Sequence, residues 1–244
     1  KGRIRFDVNT GSLALTSVSW DAGKILTDAS VATGTVSDPM VKPASRKIFT
    51  YSRDGTNRGG QLFTTGSKDK FDTEVVTALT QSPSGAPAGQ SDGDKQDAII
   101  DWLRGDRSLE AGATGGYLRA RAAVLGDIVN SGPVYKKEAD PDVSGTDYAT
   151  FASTARNRTA MVYVGANDGL LHAFRASDGK ELFAYLPRAV ATKAPLLALP
   201  DYTHLPFVDA MPAVEEAQLT ASDGTTTWKT VLVSGMGGGA QGIF

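Results

Sequence analysis

From about residue 118 the sequence repeats itself, and the repeat limits the available folds more than any other feature. One unit runs Gly126-Asp127-Ile128-Val129-Asn130-Ser131-Gly132-Pro133-Val134-Tyr135, then a polar insert, then Met161-Val162-Tyr163-Val164-Gly165. It continues through Ala166-Asn167-Asp168-Gly169 and Leu170-Leu171-His172-Ala173-Phe174, and past Asp178-Gly179 to Glu181-Leu182-Phe183-Ala184-Tyr185. A second unit starts at Phe207-Val208-Asp209-Ala210-Met211-Pro212-Ala213-Val214 and passes Asp223-Gly224. It reaches Trp228-Lys229-Thr230-Val231-Leu232-Val233, then a glycine-rich turn into Ile243-Phe244. Pro133 aligns with Pro212, Val164 with Val233, and Phe174 with Phe244. Short apolar runs broken by Asp-Gly read as antiparallel strands joined by tight hairpins. Repeated at this spacing they are what a β-propeller requires. About one and a half blades are present, against the roughly four or more of a closed ring, so this region is not expected to close a ring alone.

The first 80 residues show the same alternation without the repeat. Arg3-Ile4-Arg5-Phe6 precedes an Asn9-Thr10-Gly11 turn, and Lys47-Ile48-Phe49-Thr50-Tyr51 precedes Asp54-Gly55, a hairpin signal. Residues 81–93 are rich in Ser, Gly and Pro and read as a solvated linker or long loop. One helix follows, capped by Asp94 or a neighbour, with Ile99, Trp102 and Leu103 on one face and Gly105 as its stop. The expected fold class is therefore all-β, a partial propeller over 118–244. It is preceded by a β-rich segment over 1–80 and by a linker with one short helix over 81–117. Neither end shows a natural boundary: the chain opens inside a strand pattern, shows no leader peptide, and stops inside another strand pattern. Both ends are expected to be cuts through a longer protein.

Charge and composition exclude several classes of function. A net charge of −2 gives no general nucleic-acid or anionic-membrane surface, and no run of about 18 apolar residues exists to span a bilayer. With no cysteine and only two histidines, a Cys/His zinc site and a cysteine nucleophile are ruled out.

The segment from Val162 to Phe174, followed by Gly179-Lys180-Glu181-Leu182-Phe183, resembles quinoprotein-type propeller repeats, which read roughly VYVGANDGxLHAFDAxTGKxLW. Here Arg175, Asp178 and Phe183 replace the usual Asp, Thr and Trp. A narrower resemblance comes from several blocks in order. They are Gly2-Arg3-Ile4-Arg5-Phe6, Trp20-Asp21-Ala22-Gly23, Arg46 to Tyr51, Trp102-Leu103-Arg104-Gly105-Asp106, Leu118-Arg119-Ala120-Arg121 and Leu125 to Ser131. The blade above, Phe207-Val208-Asp209 and Trp228 to Val233 complete the series. That order resembles the PilC/PilY family over nearly the whole chain. The resemblance implies an extracellular adhesin or biogenesis protein, held at the pilus tip or the outer membrane, that supports pilus extension, twitching motility and attachment. Its implied partners are minor pilins and the pilus fibre, with a host receptor or an abiotic surface. The family's N-terminal region would precede Lys1, and its acidic calcium loop lies in later blades. Calcium is thus expected for the parent protein and no cofactor for this stretch.

Each candidate site has a plainer alternative. Arg104-Gly105-Asp106 is an RGD triplet, which in some family members is linked to integrin binding. The plainer reading, a helix stop with solvated charges, is favoured. Asp140, Asp142 and Ser144 with Gly145 partly match a calcium loop, but Phe151 stands where a bidentate Glu belongs, which favours a solvated acidic insert. Asp92, Asp94, Asp97 and Asp101 read as negative charge at a helix N-terminus. His172 reads as a buried core histidine, and the glycines at 235–239 as a blade turn. No catalytic residue is expected and the chain is expected not to be an enzyme. The alternatives are a pyrroloquinoline-quinone-type oxidoreductase, for which no base or metal-ligand set is visible, and a secreted scaffold propeller.

Overall fold

The computed structural model describes residues 2–7 and 12–244, so the turn expected at Asn9-Thr10-Gly11 lies outside the described residues. Ten strands are present: β1 (Gly2–Asp7), β2 (Ser12–Val18), β3 (Ile48–Ser52), β4 (Gly59–Leu62), β5 (Val134–Lys136), β6 (Met161–Gly165), β7 (Leu171–Arg175), β8 (Glu181–Tyr185), β9 (Ala213–Thr220) and β10 (Thr226–Val233). Five α-helices accompany them: α1 (Ala22–Val31), α2 (Thr73–Ala78), α3 (Asp92–Leu103), α4 (Tyr148–Ala155) and α5 (Arg188–Ala191). The protein is therefore β-rich with more helix than the one element expected. The helix that was expected is α3. Its cap is Ser91, whose hydroxyl accepts from the Asp94 N–H while the Asp94 carboxylate takes the Ser91 N–H, a reciprocal capping box.

The repeat appears in space as a meander. Strands β5, β6, β7 and β8 are antiparallel neighbours, with Val162 opposite Phe174 and Leu171 opposite Tyr185. The sheet does not stop there. Strand β3 lies parallel to β8, with Ile48 opposite Ala184, and β4 closes that side antiparallel to β3. Strands from before and after the 81–117 stretch thus share one six-stranded sheet, ordered β4-β3-β8-β7-β6-β5. The second unit forms the β9–β10 hairpin, and Ser234 and Phe244 exchange both backbone hydrogen bonds at 3.0 and 2.9 Å beyond it. Pro133 and Pro212 each stand immediately before the first strand of their unit, where a missing N–H does not break a ladder.

Alternation along the strands sorts the side chains onto two faces. Val164 and Phe174 lie beneath Trp20 and Leu26, so α1 covers one face. On the other, Tyr185 meets Phe244 with ring centroids 5.4 Å apart, next to Val214 and Leu232 of the second unit. The larger core gathers α2, α3, α5 and residues 194–198 against Ile48, Leu171 and Ala184. The insert between β5 and β6 also reaches the second unit. Tyr148 of α4 packs edge-on to Trp228 at 4.7 Å, and Lys136 and Arg158 converge on the Glu216 carboxylate at 2.8 and 3.3 Å.

Where the glycine-rich turn of the second unit folds back onto the start of that unit, the backbone leaves no room for a side chain. A Cβ on Gly239 would stand 1.7 Å from the Phe207 carbonyl oxygen, whereas one on Gly66 would meet nothing within 4 Å. Gly239→Ala is therefore expected to destabilise the chain by about 1–3 kcal/mol, the usual cost of overpacking. Gly66→Ala should stay within about 0.5 kcal/mol of wild type. Chemical denaturation of the two variants checks this, and equal midpoints would refute the close approach.

Candidate functional site

The strongest concentration of polar chemistry lies inside the sheet. The Arg46 guanidinium grips Glu181 with two parallel bonds, Nε to Oε2 at 2.6 Å and Nη2 to Oε1 at 2.7 Å, the fork-on-fork geometry that suits arginine and carboxylate. Glu181 Oε1 is also 2.8 Å from His172 Nδ1, and His172 Nε2 lies 3.1 Å from Asp168 Oδ2. Asp168 in turn accepts the backbone N–H groups of Gly126 and Leu170. Two cations and two anions thus form one continuous line from β3 through β8 and β7 to the turn before β7. Arg46, Glu181 and His172 are each buried.

The elements dictate this placement. His172 shares a face with Phe174, two residues on along β7, and the two rings stack at 5.3 Å. Arg46 enters the sheet just before β3, whose parallel register with β8 brings it to Glu181. Burial alone would push the His172 pKa down, but Asp168 and Glu181 outweigh it and raise it to about 9. Burial would likewise raise Glu181, yet Arg46 and His172 hold its carboxyl well below the usual range. His172 is therefore an imidazolium with both ring nitrogens engaged. It has no lone pair to accept a proton, and its side chain is enclosed. The arrangement binds two parts of the chain together and is not poised for acid–base work.

Arg104 joins the same assembly. Its guanidinium donates to the carbonyls of Phe63, Pro43, Ala44 and Arg46, while Arg46 Nη1 donates to the Arg104 carbonyl at 2.8 Å. At 3% exposure, Arg104 is part of the interior, which differs from the solvated charge expected at a helix end. Gly105 has φ +105°, and a Cβ there would stand 3.0 Å from Val124 Cγ1 and 3.3 Å from Arg46 Nη1. Asp106 is half-buried and accepts the Ser108 N–H at 2.7 Å. For the Arg104-Gly105-Asp106 triplet to engage a receptor, Arg104 would first have to leave these four carbonyls.

The 140–145 region is a turn. Asp140 Oδ1 accepts the Asp142 N–H at 2.9 Å, and the Asp140 carbonyl accepts the Tyr148 hydroxyl at 2.6 Å. Among the described residues no three His, Asp or Glu side chains form a group able to hold a metal ion. The helical aspartates also separate: Asp94 belongs to the capping box, Asp92 pairs with Lys95, and Asp97 pairs with Lys68. The glycines at 235–239 form a turn with a 3-10 segment, Gly237–Gly239.

Reading the residues singly missed a polar connector. The Leu125-to-Ser131 block bonds across both units: Gly126 to Asp168, Asn167 to Asp127, Asn130 to Asp209 and Gly165 to Ser131. The sequence marks this block as the opening of the first unit, and nothing local says which distant partner each of its polar residues meets.

The raised pKa of His172 fixes the sign of a pH effect. An unfolded histidine titrates near 6.5, so the contribution of the imidazolium is complete below that pH and is lost as pH rises through about 9. Stability of the wild-type chain should fall between pH 7 and pH 9 by an amount on the order of 2–3 kcal/mol. His172→Gln should lower stability at pH 6 and flatten that slope. Urea unfolding across pH 6–10 measures both, and a flat wild-type profile would rule out a charged His172.

Comparison with known proteins gives this arrangement a lineage. The profile of the PilY1 beta-propeller domain matches residues 125–244. The chain is 33% identical over 99% of its length to the type IV pilus biogenesis factor PilY1 of Pseudomonas aeruginosa strain UCBPP-PA14, of which it covers 19%. It is 36% identical over 82% of its length to PilY1 of strain PAK, covering 17% of that protein. A PilY1 homologue of Xylella fastidiosa is 43% identical over 59% of the chain, which covers 12% of it. The chain thus spans less than a fifth of the length of these relatives. No solved structure gives a significant match. The propeller profile spans both repeated units and the similarity to PilY1 reaches back through α3 and β3, so residues 125–244 belong to the PilY1 beta-propeller family and the whole chain is similar to a stretch of PilY1.

Proposed function

We propose that this chain is the start of the propeller region of a type IV pilus biogenesis factor, with the strands and helices before it clamped onto the first blade. The observation that carries the reading is the 33% identity across 99% of the chain to a protein of that name. In this reading the parent protein acts at the cell surface with the pilus fibre and minor pilins as partners. It supports pilus extension against retraction, twitching motility, and attachment to host cells or abiotic surfaces. The role is non-catalytic: the one buried histidine is protonated and fully engaged, as suits a scaffold. The blades follow the quinoprotein pattern as a fold without its chemistry. In this reading any calcium requirement belongs to other parts of the parent, supported by the Asp140 carboxylate already accepting the Asp142 N–H.

The test is genetic and biochemical together. Deleting the parent gene is expected to remove most surface pili and the twitching zone, and the parent polypeptide is expected in the sheared pilus fraction. Complementation with a parent carrying Arg46→Met should restore less protein to that fraction, because breaking a buried pair leaves Glu181 uncompensated at a cost of about 3–5 kcal/mol. Normal piliation and motility in the deletion strain would overturn the proposal.

A further inference from the structure

A cavity of about 170 Å³ opens beside the connector, and its lining includes Trp102, Arg119, Arg121, Asp127, Asp168 and His204. Arg119 has donors there that its neighbours among the described residues do not use. Its N–H donates to the Ala198 carbonyl at 2.8 Å, its carbonyl accepts the Trp102 indole N–H at 3.0 Å, and its Nε donates to the Leu197 carbonyl at 2.6 Å. The guanidinium carbon lies 5.1 Å from the Trp102 ring centroid and 4.8 Å from that of Tyr202. The side chain is thus fixed by packing and by one bond. Its two Nη nitrogens have no hydrogen-bond partner among the described residues. By contrast Arg121, in the same wall, uses all three of its nitrogens on Glu110, Trp102 and Asp106.

The other charges of the wall are already matched. Asp168 is held by His172, and Asp127 accepts from Asn167 and His204. Among the described residues Arg119 is the cation of this wall without a carboxylate partner, and a rigid guanidinium offering two parallel N–H groups fits a planar carboxylate better than a point charge. At about 30 Å³ per water, the cavity has the room of about six waters, enough for a carboxylate on a short aliphatic stem and too little for a sugar chain. We propose that this cavity receives one carboxylate from a polypeptide partner, that of an acidic side chain, which Arg119 binds through its two Nη nitrogens. The inference does not depend on the pilus role.

The chain's three tryptophans supply an internal control, because their indole N–H groups bond to Ala176, Arg119 and Thr146 respectively. The ¹⁵N-labelled chain would be titrated with a blocked Gly-Glu-Gly peptide, its Gly-Gln-Gly counterpart, acetate and inorganic phosphate. The expected result is a saturable shift of the Trp102 indole resonance with the Glu peptide, with Trp20 and Trp228 unmoved and no response to the Gln peptide. Arg119→Gln should abolish the response, and Arg119→Lys should weaken it about tenfold by removing the fork. The Glu-against-Gln comparison on the wild-type chain decides the matter even where a variant folds poorly. No saturable response, or an equal response to the Gln peptide, would overturn the proposal. So would phosphate binding as tightly as the Glu peptide, which marks a general anion site, or acetate binding where the peptide does not, which marks a small-molecule site.

Discussion

The line of charge from Arg46 through Glu181 and His172 to Asp168 is the constraint on which the remaining structure rests. Burying three charges beside a half-buried fourth is costly, and the cost is offset only while every member keeps its partner. An apolar set of the same volume would hold the sheet as firmly or better. What the charges add is register, because Arg46 meets Glu181 with two bonds only when Ile48 lies opposite Ala184. A slip of one residue would turn the β3 side chains to the other face and leave an arginine and a glutamate buried apart. Sliding is thereby converted from a small penalty into a prohibitive one. The exchange between Arg46 and the Arg104 carbonyl extends the same restraint to the end of α3.

Around that line the two repeated units are joined by contacts of different kinds. The Leu125-to-Ser131 connector works by directed hydrogen bonds, the α4 insert by an aromatic cluster and a shared carboxylate, and the close approach of Gly165 to the Val208 carbonyl by shape alone. A propeller blade flexes against its neighbour through a broad apolar interface, and directional bonds at its margin limit that freedom. The Pro133 and Pro212 positions repeat the same geometry at the entrance to each unit, so the connectors determine how one repeat is set against the next.

Much of the strand pattern was legible because it depends on local chemistry. Period-two alternation and Asp-Gly turns announced β6, β7 and β8, and the Ser-rich approach to Ile99, Trp102 and Leu103 announced α3. Gly105 was readable as a stop because only glycine accepts its backbone angle comfortably. The helices α1 and α4 were not read, since Ala22–Val31 and Tyr148–Ala155 are short and draw their support from Phe174 and Trp228, far along the chain. The charge line was illegible for the same reason. Arg46 and Glu181 are 135 residues apart, and an arginine in a polar stretch reads as solvated until a distant carboxylate is known. Arg104 misled in the same way: a basic residue in a last turn normally serves the helix dipole from outside, and here it turns inward to backbone carbonyls.

The parallel pairing of β3 with β8 carries a consequence for the order of events during folding. The first 60 or so residues contain a strand, β3, and an arginine, Arg46, whose partners are made only when residues 181–186 exist, so this part of the chain cannot finish before the blade does. Long-range pairing of this kind slows folding, because loop closure must precede its reward. A newly made chain therefore holds one edge of β3 open, with Arg46 still hydrated. A charge beside an open strand edge discourages it from pairing with another copy. The same residue that locks the finished sheet thus acts earlier as a guard against association, and its final partner appears only when the edge is about to be covered.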